Sequence, residues 1–244
     1  MNETDAGIAV LDHGFVRLVD HMGSDLSIVR SARVSYDADW RTGEEEGKDE
    51  KLIRYLLKNR HTSPFESVVF TFEVKAPIFV LRQWHRHRTQ SYNEISARYT
   101  ELPEEFYVPD AEQITHQHAS NKQMRDDVPH PDAELMRAYM TKSGNDAFAL
   151  YKTLLDRGCP RELARTVLPV STYSRMFTTV NLHNLLHFLR LRLHEHAQYE
   201  IREYASAIFL LIKDIVPVTV AAFGEEYLGQ QIYLKMKQLL GVPE

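Results

Sequence analysis

The 244-residue sequence contains a single cysteine, Cys159. One thiol excludes an intramolecular disulfide and any zinc site built from four cysteines. Long apolar runs are missing too. Stretches such as AIFLLI at 207–212 fall far short of the roughly 20 residues a membrane-spanning helix needs. The opening MNETDAGIAVLDHG lacks a basic segment leading into an apolar run, so no signal peptide is expected and the protein is expected in the cytosol. Positive charge is in deficit: 29 Lys+Arg stand against 34 Asp+Glu, for a net charge of -5. That balance argues against broad, sequence-independent nucleic-acid binding, which needs an extended basic surface. Neither a GxGxxG turn nor a P-loop occurs, so a dinucleotide would have to be held by side chains and helix termini rather than by a Rossmann crevice. Internal repeats, heptads and low-complexity tracts are absent.

What is present is ordinary for a globular protein, with 43% hydrophobic and 26% charged residues. The length suits one domain over 1–244. GFVRLVDHM (14–22) alternates as a strand should. Residues 24–36 have helical spacing behind Ser24, and a second helix is expected near 49–60. VVFTFEVKA (68–76) reads as a strand, and Pro77 suits the first turn of a helix that would run to about Arg88. Residues 108–132, with Pro109, Pro129 and Pro131, read as a variable loop excursion. A long helix is expected over 133–157, ended by Gly158, then a shorter one over 160–168. Residues 170–181 look extended, and 182–215 look helical in two pieces. Strands and helices mix without βαβ alternation, which predicts an α+β fold: antiparallel or mixed strands with helices packed over them.

The densest chemistry lies in RQWHRHRTQSYNEISARY, residues 82–99. Four arginines (Arg82, Arg86, Arg88, Arg98) and two histidines (His85, His87) sit here on an acidic chain, which points to a small anionic ligand. On a helix reaching Arg88, Gln83, Arg86 and His87 would share one face. Glu94, Ser96 and Arg98 recur every second residue, so an extended segment would point all three the same way. Arginine for phosphate, serine and backbone N–H for further oxygens, and glutamate for a sugar hydroxyl or ring N–H make a plausible nucleotide bed. A basic stripe is more often a solvated helix face, but this one is rich in Arg and Tyr and poor in Lys.

The stretch RHRTQSYNEIS resembles the Arg-His-Arg, seven residues, Ser signature of the flavin-dependent thymidylate synthases, with matching RQW before it and ARY after it. Further segments are similar to that family in the same order: RSARVSYD, HTSPFE, VKAPIFVLRQW, PRELARTVLP, TVNLHNLLHFLRLR and HAQYEI. The resemblance covers most of the chain outside 108–132 and the termini. It implies methylation of dUMP at C5 to dTMP, with 5,10-methylenetetrahydrofolate as carbon donor, FAD as hydride carrier and NADPH as reductant. It also implies a homotetramer with active sites shared between subunits.

Carried over by motif, Gln83, Arg86, Glu94, Ser96, Ala97, Arg98, Arg165 and Arg192 are the expected dUMP contacts. Ser63, Arg86, His87, Arg88, Glu94, Asn181, His183 and His187 are the expected FAD contacts, with His61 beside them. Arg192 matches the arginine that faces the uracil ring and favours its ionisation at N3, which enriches C5. A guanidinium with a pKa above 12 serves there as an electrostatic stabiliser, not a base.

Cys159 lies outside the ligand motifs and reads as a packing residue, whereas folate-only thymidylate synthases attack C6 with a thiolate. Ser96 has no base placed beside it by sequence and reads as a binding residue. HNLLH (183–187) and HEH (194–196) have metal-like spacing, but no third ligand is evident and the neighbouring leucines read as core, so no metal is expected. Two rival readings are an RNA-binding module built on 82–99 and a flavoprotein with another acceptor or without catalysis. The acidic net charge speaks against the first. The joint presence of Ser96, Arg98, Arg165 and Arg192 speaks against the second.

Overall fold

The computed structural model describes residues 7–43 and 46–240. Five antiparallel strands form the central sheet, in the order β1 (Ile8–Val10), β2 (Gly14–Met22), β3 (Val69–Pro77), β7 (Tyr173–Asn181) and β4 (Ser91–Glu94). A separate hairpin pairs β5 (Thr115–Gln117) with β6 (Arg125–Pro129). The helices are α1 (Asp25–Arg33), α2 (Glu46–Lys58), α3 (Ile78–Trp84), α4 (Ala133–Asp156), α5 (Arg161–Ala164), α6 (Leu182–Arg192), α7 (Tyr199–Ile212), α8 (Pro217–Tyr227) and α9 (Gln230–Leu240). The expected α+β class with antiparallel strands is borne out.

Alternation makes the sheet. Phe70, Phe72, Val74 and Ala76 of β3, and Met176 and Val180 of β7, all bury on one face. Helices α6 and α7 cover that face with Leu185, Phe188, Leu189, Ile201, Ile208 and Phe209. Trp84, at the end of α3, stacks on Phe188 at 4.8 Å between ring centroids. Tyr204 of α7 donates to the Lys75 carbonyl at 2.8 Å. This close approach requires glycine at position 14, where a Cβ would lie 2.0 Å from the Tyr204 hydroxyl. A smaller core forms where α4 packs Phe148 and Tyr151 against Ala164, with Phe106 and Cys159 at its margin.

Several boundaries depart from the sequence reading. Helix α3 stops at Trp84 rather than near Arg88; His85 caps it and 85–90 is a chain of turns. The indole N–H of Trp84 donates to Gln90 Oε1 at 3.1 Å. The Tyr92 hydroxyl lies 3.0 Å from the Trp84 carbonyl and 2.8 Å from that of His87. These bonds reward a turn where helical periodicity alone suggests continuation. Strand β4 likewise ends at Glu94, and Ser96 begins a turn into which Tyr99 N–H donates at 3.0 Å. The 160–168 helix is the four residues of α5 followed by a single 3-10 turn. The 108–132 segment holds the β5–β6 hairpin, tied to α7 by an ion pair between Arg125 and Glu200.

Candidate functional site

The turn after α3 and the last turn of α6 meet at the edge of the core. Arg192 donates from Nε to His87 Nε2 at 2.9 Å and from a terminal nitrogen to the Gln83 carbonyl at 3.2 Å. His87 is only 8% exposed, with Phe188 against its ring at 4.9 Å and His187 at 6.3 Å. Burial, then the nearby Arg192 and His187, lowers its pKa from 6.5 to about 4. His87 is therefore a neutral acceptor near pH 7, and its job toward Arg192 is to hold it. Burial also lowers the Arg192 pKa from its usual value. Gln83, His87, His187 and Arg192 are thus brought together.

A cavity of about 320 Å³ opens beside this cluster. Leu57, Phe65, Leu186 and Phe223 give it an apolar floor, and Arg60 and Arg190 give it a basic rim, with His183 and His187 beside them. Thr62, the neighbour of Ser63, also lines it, because the 3-10 turn Ser63–Ser67 packs on α6. Burial followed by Arg190 and His183 lowers the His187 pKa. Asn181 caps α6: its side-chain oxygen accepts from the backbone N–H of Asn184 at 2.9 Å. That cap points the first turn of α6, with His183, at the cavity.

Glu94 occupies the edge strand. Its carboxylate accepts from Ser174 at 2.6 Å and lies 3.9 Å from His85. The register Glu94↔Met176 sets this diagonal contact. Ser96 and Ala97 follow in the turn, and the Ser96 hydroxyl takes only the Arg98 backbone N–H, at 3.3 Å, among the described residues. Arg98 reaches Glu162 of α5 at 3.5 Å. Arg165 lies three residues beyond Glu162, so this pair draws the Arg98 turn and the Arg165 segment together.

Arg82, Arg86, Arg88 and Arg165 are exposed and make no ion pair among the described residues. Four unpaired guanidinium groups on an acidic chain suit phosphate oxygens. None of the four lines the cavity, whose apolar floor suits a ring system. The cavity is at the small end of the range for ligand pockets, so a dinucleotide would extend beyond it.

Sequence reasoning did not nominate Thr62, Arg60, Arg190, Phe223 or Ser174. Arg190 was within reach, since 183, 187 and 190 share a helix face. Phe223 and Ser174 depend on tertiary packing and strand register. No group of His, Cys, Asp or Glu among the described residues is arranged to hold a metal. No helix there is long and apolar enough to cross a membrane.

The family model described as thymidylate synthase complementing protein matches residues 17–218. A flavin-dependent thymidylate synthase of Treponema denticola is 51% identical over 221 residues, 90% of this chain and 82% of that protein. One from Thermus thermophilus is 50% identical over 232 residues, 95% of this chain and 83% of its own. The crystal structure of a UMP/dUMP methylase, PolB from Streptomyces cacaoi, bound with 5-Br dUMP superposes with a TM-score of 0.81 at 40% identity. That match covers 91% of this chain and 99% of the other. With a family model matching residues 17–218 and identity of this depth along the chain, the protein belongs to the flavin-dependent thymidylate synthase family.

Proposed function

We propose that the protein makes dTMP by reductive methylation of dUMP at C5. The observation that carries this reading is the join between the Arg-His-Arg turn and Arg192, beside a cavity with an apolar floor and a basic rim. FAD, when bound, carries hydride from NADPH, and 5,10-methylenetetrahydrofolate supplies the carbon.

The chain's own residues bind, orient and stabilise. Arg86 and Arg88, free of internal partners among the described residues, hold phosphate oxygens. Ser63, His87, Glu94, Asn181, His183 and His187 surround the flavin nucleotide. Gln83, Glu94, Ser96, Ala97, Arg98 and Arg165 hold dUMP. Arg192 faces the uracil ring and stabilises negative charge there, which raises the electron density at C5. Two of its nitrogens are already engaged by His87 and Gln83, so its orientation is fixed before substrate arrives. Neither Cys159 nor Ser96 is a nucleophile: Cys159 sits against the α4 cluster, and Ser96 has no base at its hydroxyl among the described residues.

The working form is a homotetramer with shared pockets. It is supported by the cavity, which is short for FAD. The test is the visible spectrum of the purified protein with NADPH and dUMP. A yellow protein that bleaches with NADPH supports the reading, and a colourless protein that takes up no added FAD contradicts it.

A further inference from the structure

Outside the lining of that cavity stands a buried charged group to which the proposed reaction assigns no part. Glu200, in the first turn of α7, is 3% exposed. Its carboxylate accepts from Arg125 of β6 at 2.6 and 2.7 Å, from the Tyr107 hydroxyl at 3.2 Å and from Gln198 Nε2 at 2.7 Å. Burial, followed by the charge of Glu200, raises the Tyr107 pKa, so its hydroxyl stays a donor. The side-chain oxygen of Gln198 in turn accepts from Gln83 Nε2.

Direction in this chain follows from donor and acceptor types. A carboxylate only accepts. Gln198 must therefore turn its NH₂ toward Glu200 and its carbonyl toward Gln83. Gln83 must then turn its own NH₂ toward Gln198. Its side-chain carbonyl is left over, with no donor among the described residues, while its backbone carbonyl is held by Arg192. Without Glu200 either amide could flip, and Gln83 would offer its two faces in a mixture.

We infer that Glu200 and Gln198 are positioning residues that fix the orientation of the Gln83 amide, so that Gln83 presents its carbonyl to dUMP. The hairpin acts as the anchor of this relay through Arg125. The inference rests on Gln83 being a dUMP contact, as proposed above.

The experiment measures dUMP binding to FAD-loaded protein by equilibrium dialysis, with KM and kcat alongside. Gln83→Ala and Gln198→Met should each raise the dUMP Kd about threefold to tenfold, the worth of one neutral hydrogen bond. The change should appear in KM with kcat within about twofold. In the Gln83→Ala background, Gln198→Met should add nothing, because Gln198 acts only through Gln83. Glu200→Gln should weaken binding as Gln198→Met does. The exchange Glu200→Gln with Gln198→Glu should restore it, since residue 198 then only accepts and the Gln83 amide points as before. Unchanged affinity in Gln83→Ala overturns both the dUMP assignment and this relay. Weakened Gln83→Ala beside unchanged Gln198→Met overturns the relay alone, as does an additive effect in the double variant. If the Glu200 variants do not fold, the Gln83 and Gln198 cycle decides by itself.

Discussion

The Nε–H of Arg192 and the Nε2 of His87 meet at 2.9 Å, and that bond exists only while His87 is neutral. Because burial lowers the His87 pKa to about 4, the unfolded chain takes up its proton first as pH falls. The stabilisation is complete above the unfolded value of 6.5 and is lost progressively between 6.5 and about 4. Its size is about 3 kcal/mol. Denaturant midpoints measured across that window should fall more steeply in wild type than in His87→Gln, which keeps an acceptor for Arg192 but does not titrate.

Arg86→Ala and Arg88→Ala should each cost about 1.5–3 kcal/mol of flavin binding, the worth of a charge-assisted hydrogen bond. Neither side chain has an internal ion pair among the described residues, so folding stability should change little. Flavin occupancy after purification, set against the unfolding midpoint, separates the two effects. Full occupancy in both variants would remove the phosphate assignment.

Arg125→Ala should destabilise the protein by about 3 kcal/mol, because it leaves the buried Glu200 carboxylate without its cation. Thermal unfolding of the holoprotein reads this directly. A loss under about 0.5 kcal/mol, typical of an exposed pair, would mean the hairpin anchors nothing.

Much of this was legible beforehand. The strand Gly14–Met22 was visible from its alternation, and the end of the long helix from Gly158, which adopts φ +80°. The site residues came from the dense motif at 82–99 and from the further segments that resemble the family. The end of α3 was not legible, because the turn at 85–90 depends on Gln90 and Tyr92 bonding back to the helix terminus. The row of Glu94, Ser96 and Arg98 failed for the same reason: a backbone turn at Ser96 overrides the strand period. Glu200 and Arg125, 75 residues apart, were legible only as charges.

Shared pockets predict complementation. Ser63→Trp blocks the turn beside the cavity, and Arg192→Ala removes the proposed uracil contact. If these residues serve one pocket from different chains, co-expressed variants form some pockets with both wild-type copies. Such mixtures should make dTMP where either variant alone does not. Mixed oligomers as inactive as the single variants would place both residues in one chain or remove the shared pocket.

The central claim is tested most directly by tritium release from dUMP labelled at C5. Purified protein with FAD, 5,10-methylenetetrahydrofolate and NADPH should release tritium and form dTMP in equal amounts. Omission of FAD from flavin-free protein, or of NADPH, should abolish dTMP, while Cys159→Ala should release tritium as wild type does. Flavin-loaded protein that forms no dTMP with all three present, or turnover that survives without flavin but dies with Cys159→Ala, would contradict the account.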